Sequence, residues 1–64
     1  MKNFILVKDA ATDKLMIIRK SMICRVEESI QNAKPVRAIY YTDCRRETYV
    51  KESLLDILKY LEEE

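Results

Sequence analysis

Glycine and histidine, on which many enzyme sites depend, are both absent from this chain of 64 residues. Without glycine there is no phosphate-cradling loop of the P-loop or Rossmann kind. Without histidine the usual general base and activator of nucleophiles is missing. We therefore expect a protein that is not an enzyme and that binds no cofactor.

Cysteine is also scarce, since Cys24 and Cys44 are the only two. Two cysteines and no histidine cannot complete a tetrahedral zinc site in one chain, which leaves only a metal shared across a dimer interface. Secreted domains of this size usually carry more cysteines, so we expect two reduced and partly buried thiols, with a Cys24–Cys44 disulfide as the alternative.

Long apolar runs are missing as well. No apolar run exceeds four residues, the length of residues 4–7, which is far below the roughly 18 residues of a membrane span and too brief for a signal peptide. We therefore expect a cytoplasmic chain. The apolar fraction of 48% is enough for a small core and argues against disorder.

The charges that are present nearly balance, with a net charge of +1, but they are unevenly distributed. Residues 1–51 hold eleven Lys/Arg and six Asp/Glu, whereas residues 52–64 hold one lysine and five acidic residues. A basic body is thus joined to an acidic C-terminal segment, a polarity that can orient partners or self-association.

Alternating apolar and β-branched positions predict five strands. The segments are residues 4–7, 14–19, 22–26, 36–41 and 46–51. The third is ambiguous, because Ile23, Val26 and Ile30 also fit helical spacing and allow a helix over residues 22–30 instead. In the strand interpretation, Met22, Cys24 and Val26 share one face.

A helix is predicted over residues 54–62, directly after the last strand. Ser53 offers a hydroxyl as its N-cap, with Asp56 three residues later in a shortened capping box. The predicted buried stripe is Leu54, Ile57, Leu58 and Leu61, and the predicted solvent-facing residues are Asp56, Lys59, Glu62 and Glu63. The whole pattern, β-β-β-β-β-α, indicates one α+β domain over residues 1–64. We expect a small antiparallel sheet of four or five strands with one C-terminal helix packed on it.

Turns must be made without glycine, so we expect them to be wider than the minimal two-residue type. The clearest break is residues 31–35, where Pro35 cannot donate a ladder hydrogen bond.

The first two strands are apolar on both faces. Phe4 and Leu6 point opposite to Ile5 and Val7, and in the second strand Leu15 and Ile17 oppose Met16 and Ile18. One helix covers only one face of a sheet, so the other must be closed by curling into a barrel or buried against another copy of the chain. Of these, we favour self-association as a homodimer.

Arginine and tyrosine are concentrated around the last hairpin. These are the residue types favoured at interface hot spots. The residues predicted to shape an interaction surface are Arg37, Tyr41, Arg45, Arg46 and Tyr49. The same side chains carry the alternative function, a nucleic-acid-binding regulator that stacks bases on tyrosines and contacts phosphates with arginines. The near-neutral charge argues against that alternative.

At the strand–helix joint, Val50-Lys51-Glu52-Ser53 is followed by the amphipathic helix. With residues 16–18, 23–28 and 38–41, this arrangement resembles the small flagellar and swarming-motility proteins often called FlbD-like, over roughly residues 14–62. The resemblance implies the same fold and a non-enzymatic character. Family members usually have glycine in the hairpin turns and a shorter segment than residues 29–35, so we carry over no motility role. We expect a small bacterial or phage interaction module.

Overall fold

The computed structural model describes residues 3–43 and 45–63 and has two small antiparallel sheets and one C-terminal helix. The elements are β1 (Phe4–Lys8), β2 (Leu15–Arg19), a 3-10 turn (Lys20–Met22), β3 (Ile23–Gln31), β4 (Lys34–Tyr41), β5 (Thr48–Val50) and α1 (Leu54–Glu62). The α+β class is confirmed.

The prediction of one sheet of four or five strands is wrong. β1 and β2 form one sheet, and β3, β4 and β5 form the other. The 3-10 turn separates β2 from β3, and β5 is only three residues long. Among the described residues, an isolated bridge between Asp9 and Val50 joins the two sheets. It is flanked by hydrogen bonds from Ala10 N to Tyr49 O at 2.8 Å and from Lys51 N to Lys8 O at 3.4 Å.

The third strand is confirmed against the helical alternative, and it is longer than predicted. A register shift between Ile23 and Arg25 leaves Cys24 as the extra residue of a β-bulge. Ile23 and Val26 therefore both pack against the core, while Cys24 is exposed, so the expectation that its thiol is partly buried is wrong. The prediction that Met22, Cys24 and Val26 share a face is wrong because the bulge breaks the two-residue period.

The turn between β3 and β4 is minimal, so the expectation of wider turns is wrong there. Gln31 pairs with Lys34 across only two residues, Asn32 and Ala33, whose φ angles are 53° and 63°. Two consecutive left-handed residues are what a type I′ hairpin requires. Asparagine tolerates this conformation, whereas alanine is strained in it.

Replacing Ala33 with glycine should therefore raise the free energy of unfolding by about 1 kcal/mol, because glycine adopts positive φ without a Cβ clash. Urea unfolding of the two proteins measures the difference. Ala11→Gly is the matched control in an exposed turn position with negative φ. That substitution should lower stability slightly by adding freedom to the unfolded chain. Equal effects at both positions would contradict the turn assignment.

One apolar core lies between the sheets and beneath the helix. Ile5 and Val7 of β1 are buried, which confirms that they face opposite to Leu6. Ile18 of β2 is buried too, while Leu15 and Ile17 are exposed, as their alternation predicts. The remaining members of the core cluster are Ile39, Val50 and Ile57.

Helix α1 has the predicted bounds and the predicted cap, since Ser53 Oγ accepts a hydrogen bond from Asp56 N at 3.1 Å. The predicted buried stripe is only partly right. Ile57 is 1% exposed, but Leu54 and Leu58 are 36% and 50% exposed. Leu61 packs against the core cluster as predicted. Tyr60, which was not predicted, packs there too, because the helix contacts β1 as well as β3.

Candidate interaction surfaces

The five predicted surface residues do not share one surface. Along β4, Arg37 and Tyr41 lie on the same side as the core residue Ile39. Tyr49 of β5 pairs with Ala38 and therefore lies on the opposite face of the three-stranded sheet. Arg46 is exposed in the loop before β5.

Arg37 holds the joint between β5 and the helix. Its Nε donates to the carbonyl of Glu52 at 2.7 Å, and its Nη2 donates to the carbonyl of Lys51 at 2.5 Å. A third donor, Nη1, lies 3.2 Å from Glu28 Oε1. The side chain is only 15% exposed. These contacts make Arg37 an architectural residue, and its guanidinium is already occupied within the chain.

The same joint is tied to β1. The Glu52 carboxylate accepts a hydrogen bond from Lys8 N at 3.1 Å, and Lys51 Nζ lies 2.7 Å from Asp13 Oδ1. The hydrogen bond from Lys51 is the main cause that lowers the pKa of Asp13, and the positive charge of Lys51 lowers it further. The Val-Lys-Glu-Ser segment is therefore fixed by its neighbours on both sheets.

Tyr41 and Arg45 form a second, separate group. The Tyr41 hydroxyl shares a hydrogen bond of 2.5 Å with Thr48 Oγ1, and the Arg45 guanidinium lies 5.6 Å from the centre of the Tyr41 ring. Arg45 is also paired with Asp43 at 2.7 Å. The hydrogen bond from Arg45 lowers the pKa of Asp43. Cys44, between them, lies outside the described residues.

The opposite face of the three-stranded sheet carries Tyr40 and Tyr49. The Arg25 guanidinium lies 4.1 Å from the centre of the Tyr40 ring and is paired with Glu27 at 3.0 Å. The Tyr49 hydroxyl donates to Glu47 Oε2 at 2.8 Å, which raises the pKa of Tyr49. Acidic side chains thus lie beside the aromatic rings, which is unfavourable for contact with phosphates.

The outward face of the β1–β2 sheet is apolar and uncovered in the structure. Leu6, Leu15 and Ile17, which we call the outer patch, are 45%, 63% and 60% exposed. Leu6 lies directly opposite Ile17 in the ladder. At one end of the patch the Arg19 guanidinium lies 5.0 Å from the centre of the Phe4 ring. The sequence predicted this second apolar face from the consecutive apolar positions.

The hydrogen-bonding pattern shows which backbone groups of β2 point away from β1. Asp9 N donates to Lys14 O, and Lys20 N donates to Asn3 O, both at 2.9 Å. Hydrogen-bonded pairs alternate along an antiparallel ladder, so the backbone groups of Met16 and Ile18 bond to β1. The backbone groups of three other residues point away from β1, toward the open edge of the sheet. Those residues are Leu15, Ile17 and Arg19. Within residues 3–43 and 45–63, no strand pairs with this edge.

A groove of about 570 Å³ runs beside the open edge of β2. Its lining joins the edge strand to the Tyr41–Arg45 group. The lining residues are Met16, Ile17, Ile18, Arg19, Met22, Tyr41 and Arg45. Two of the five predicted surface residues therefore adjoin the outer patch.

A second apolar groove, of about 370 Å³, lies between β3 and the helix. Leu54 and Leu58 line its helix side, and Ile23 and Val26 line its sheet side. Cys24, at its rim, is a free thiol. The described residues contain no group of three or more cysteine, histidine or acidic side chains placed to hold a metal ion. Across the same residues, every helix is too short or too polar to span a membrane.

Comparison with known proteins gives no relative. No family model matches the chain, and no curated protein and no solved structure shows significant similarity to it. The resemblance to the FlbD-like family therefore stays a prediction.

Proposed function

We propose that this chain is a non-enzymatic protein-interaction module that associates with itself through the outer patch. The observation that carries the proposal is the exposure of three large aliphatic side chains, Leu6, Leu15 and Ile17, on adjacent strands. Single exposed leucines are ordinary on protein surfaces, whereas adjacent exposed aliphatic side chains on one sheet face favour an interaction surface.

The free energy available from burying large aliphatic side chains supports association. Full burial of one leucine or isoleucine side chain is worth about 1.5–3 kcal/mol relative to exposure. The outer patch offers three such side chains at positions where polar residues are free to occur. The non-enzymatic character is also what the resemblance to the FlbD-like family implies.

Nucleic-acid binding has less support. Two of the arginines that it would use lie beside carboxylates, in the pairs Arg37–Glu28 and Arg45–Asp43, and Arg25 on the tyrosine-bearing face is paired with Glu27 in the same way. Each pair lowers the positive potential that attracts phosphates. The tyrosines on the outward face of the larger sheet are flanked by Glu27 and Glu47 in the same way.

Ile17→Lys tests the proposal, because it places a charge in the centre of the outer patch. The substitution should raise the dissociation constant of self-association by at least about tenfold, which corresponds to a loss of about 1.4 kcal/mol. Sedimentation equilibrium at a series of concentrations measures the constant. Ile17 is exposed, so the monomer should keep its fold and its circular dichroism spectrum.

Leu55→Lys is the matched control, since Leu55 is 72% exposed on the helix and lies outside the outer patch. It should leave the dissociation constant unchanged. Dissociation caused by Leu55→Lys, with Ile17→Lys still associated, would place the contact on the helix and contradict the proposal.

A further inference from the structure

We infer that the partner is a second copy that adds its own β2 to the open edge of β2, antiparallel, about a two-fold axis at Met16. The product is a continuous four-stranded sheet in the order β1-β2-β2-β1. This inference rests on the proposed function and specifies how the two copies meet.

Exposure within the outer patch favours the edge over stacking of the two faces. Leu15 and Ile17, both on β2, are 63% and 60% exposed, whereas Leu6 on β1 is 45% exposed. The uncovered apolar surface is thus greatest on β2, whose second edge pairs with no strand among the described residues. The same edge presents the backbone groups of Leu15, Ile17 and Arg19 in a row. Edges of this kind pair with another strand unless charge, proline or a bulge protects them.

A second copy fits this edge because the strand is complementary to itself in one register. With the two-fold axis at Met16, each Leu15 lies opposite Ile17 of the partner subunit, so apolar side chains meet on the outward face. The backbone groups of Leu15 and Ile17 that point toward the open edge then exchange hydrogen bonds with the partner subunit.

The neighbouring register is less favourable. An axis at Ile17 places Leu15 opposite Arg19 and brings Lys14 opposite Lys20 of the partner subunit. On the outward face, the two Leu15–Ile17 pairs are replaced by one Ile17–Ile17 pair and two Leu15–Arg19 pairs, and like charges meet at both ends. A shift of one residue in the axis therefore changes complementarity enough to select the register at Met16.

The second edge of β3 is protected in a way that the edge of β2 is not. Glu27 and Glu28 occupy the middle of β3, and both are exposed. Antiparallel pairing of two copies centred on either residue places like carboxylates opposite each other, which is destabilising. By contrast, residues 15–18 of β2 carry no charge.

A cysteine scan along β2 tests the register in the full chain, with Cys24 and Cys44 replaced by serine. At a two-fold axis, Met16→Cys places its Cα about 4.5 Å from its own counterpart, within disulfide range. Mild oxidation should link this variant most completely. The single variant Ile17→Cys should link poorly, because in this register residue 17 faces residue 15 of the partner subunit and not its own counterpart.

Met16 is half-buried, so its replacement can disturb the fold. An equimolar mixture of the Leu15→Cys and Ile17→Cys variants tests the same register without changing Met16. Both positions are exposed, and the mixture should form a disulfide-linked heterodimer in preference to either homodimer. Strongest linkage of Ile17→Cys to itself, or of a Leu6→Cys variant, would overturn the inference. If the protein associates but gives such a result, the proposed self-association stands and only the pairing of the β2 edges is wrong. If the chain stays monomeric, both the proposed function and this inference are wrong.

Discussion

Ile57→Ala is expected to lower the free energy of unfolding by about 3 kcal/mol, the usual range for a buried isoleucine being about 2–5 kcal/mol. Ile57 is 1% exposed and is the single fully buried residue among those of α1. Its truncation opens a cavity at the point where the helix covers both sheets. A domain of this size has a narrow margin of stability, so this variant should be largely unfolded near physiological temperature.

Leu55→Ala is the control on the same helix, with a side chain that is 72% exposed. It should change the stability by less than about 0.5 kcal/mol, as surface substitutions usually do. Urea unfolding monitored by circular dichroism measures both variants. Similar losses at positions 55 and 57 would mean that the helix does not pack in the orientation described.

Arg37→Met is expected to lower the free energy of unfolding by about 2 kcal/mol, the scale of hydrogen bonds that involve a charged group. Methionine keeps most of the apolar stem, but it removes the donors to the carbonyls of Lys51 and Glu52. The strand–helix joint then loses its connection to β4. Arg37→Lys should recover little, since an ammonium does not reproduce the planar fork of donors.

Arg25→Met is the control for this substitution. The Arg25 side chain is 56% exposed, and its pair with Glu27 is solvated. Exposed ion pairs contribute less than about 1 kcal/mol, so a small change is expected. A large loss at Arg25 with no loss at Arg37 would contradict the architectural role assigned to Arg37.

Local patterns in the sequence predicted most of the secondary structure. The two-residue period identified all five strands, and the Ser53 cap located the start of the helix, because both signals depend on neighbours along the chain. The alternation in β1 and β2 also predicted which side chains would lie outside the core, and this prediction produced the outer patch. For the candidate site, the sequence therefore predicted the apolar side chains of the outer patch.

The features that sequence reasoning missed depend on distant contacts or on strain. Arg37 was predicted to lie on an interaction surface, but its partners at positions 51 and 52 fix it at the joint. The division into two sheets follows from the 3-10 turn at Lys20–Met22, which has no distinctive sequence signal. Ala33 occupies a left-handed position that composition gave no reason to expect.

The molar mass of the unmodified chain in solution tests the central claim most directly. Sedimentation equilibrium over a wide range of concentrations should show the mass rising from that of one chain toward that of two. The side chains of Leu15 and Ile17, the β2 members of the outer patch, should lie at the contact that this association forms. A mass that stays at one chain at the highest concentration would contradict self-association.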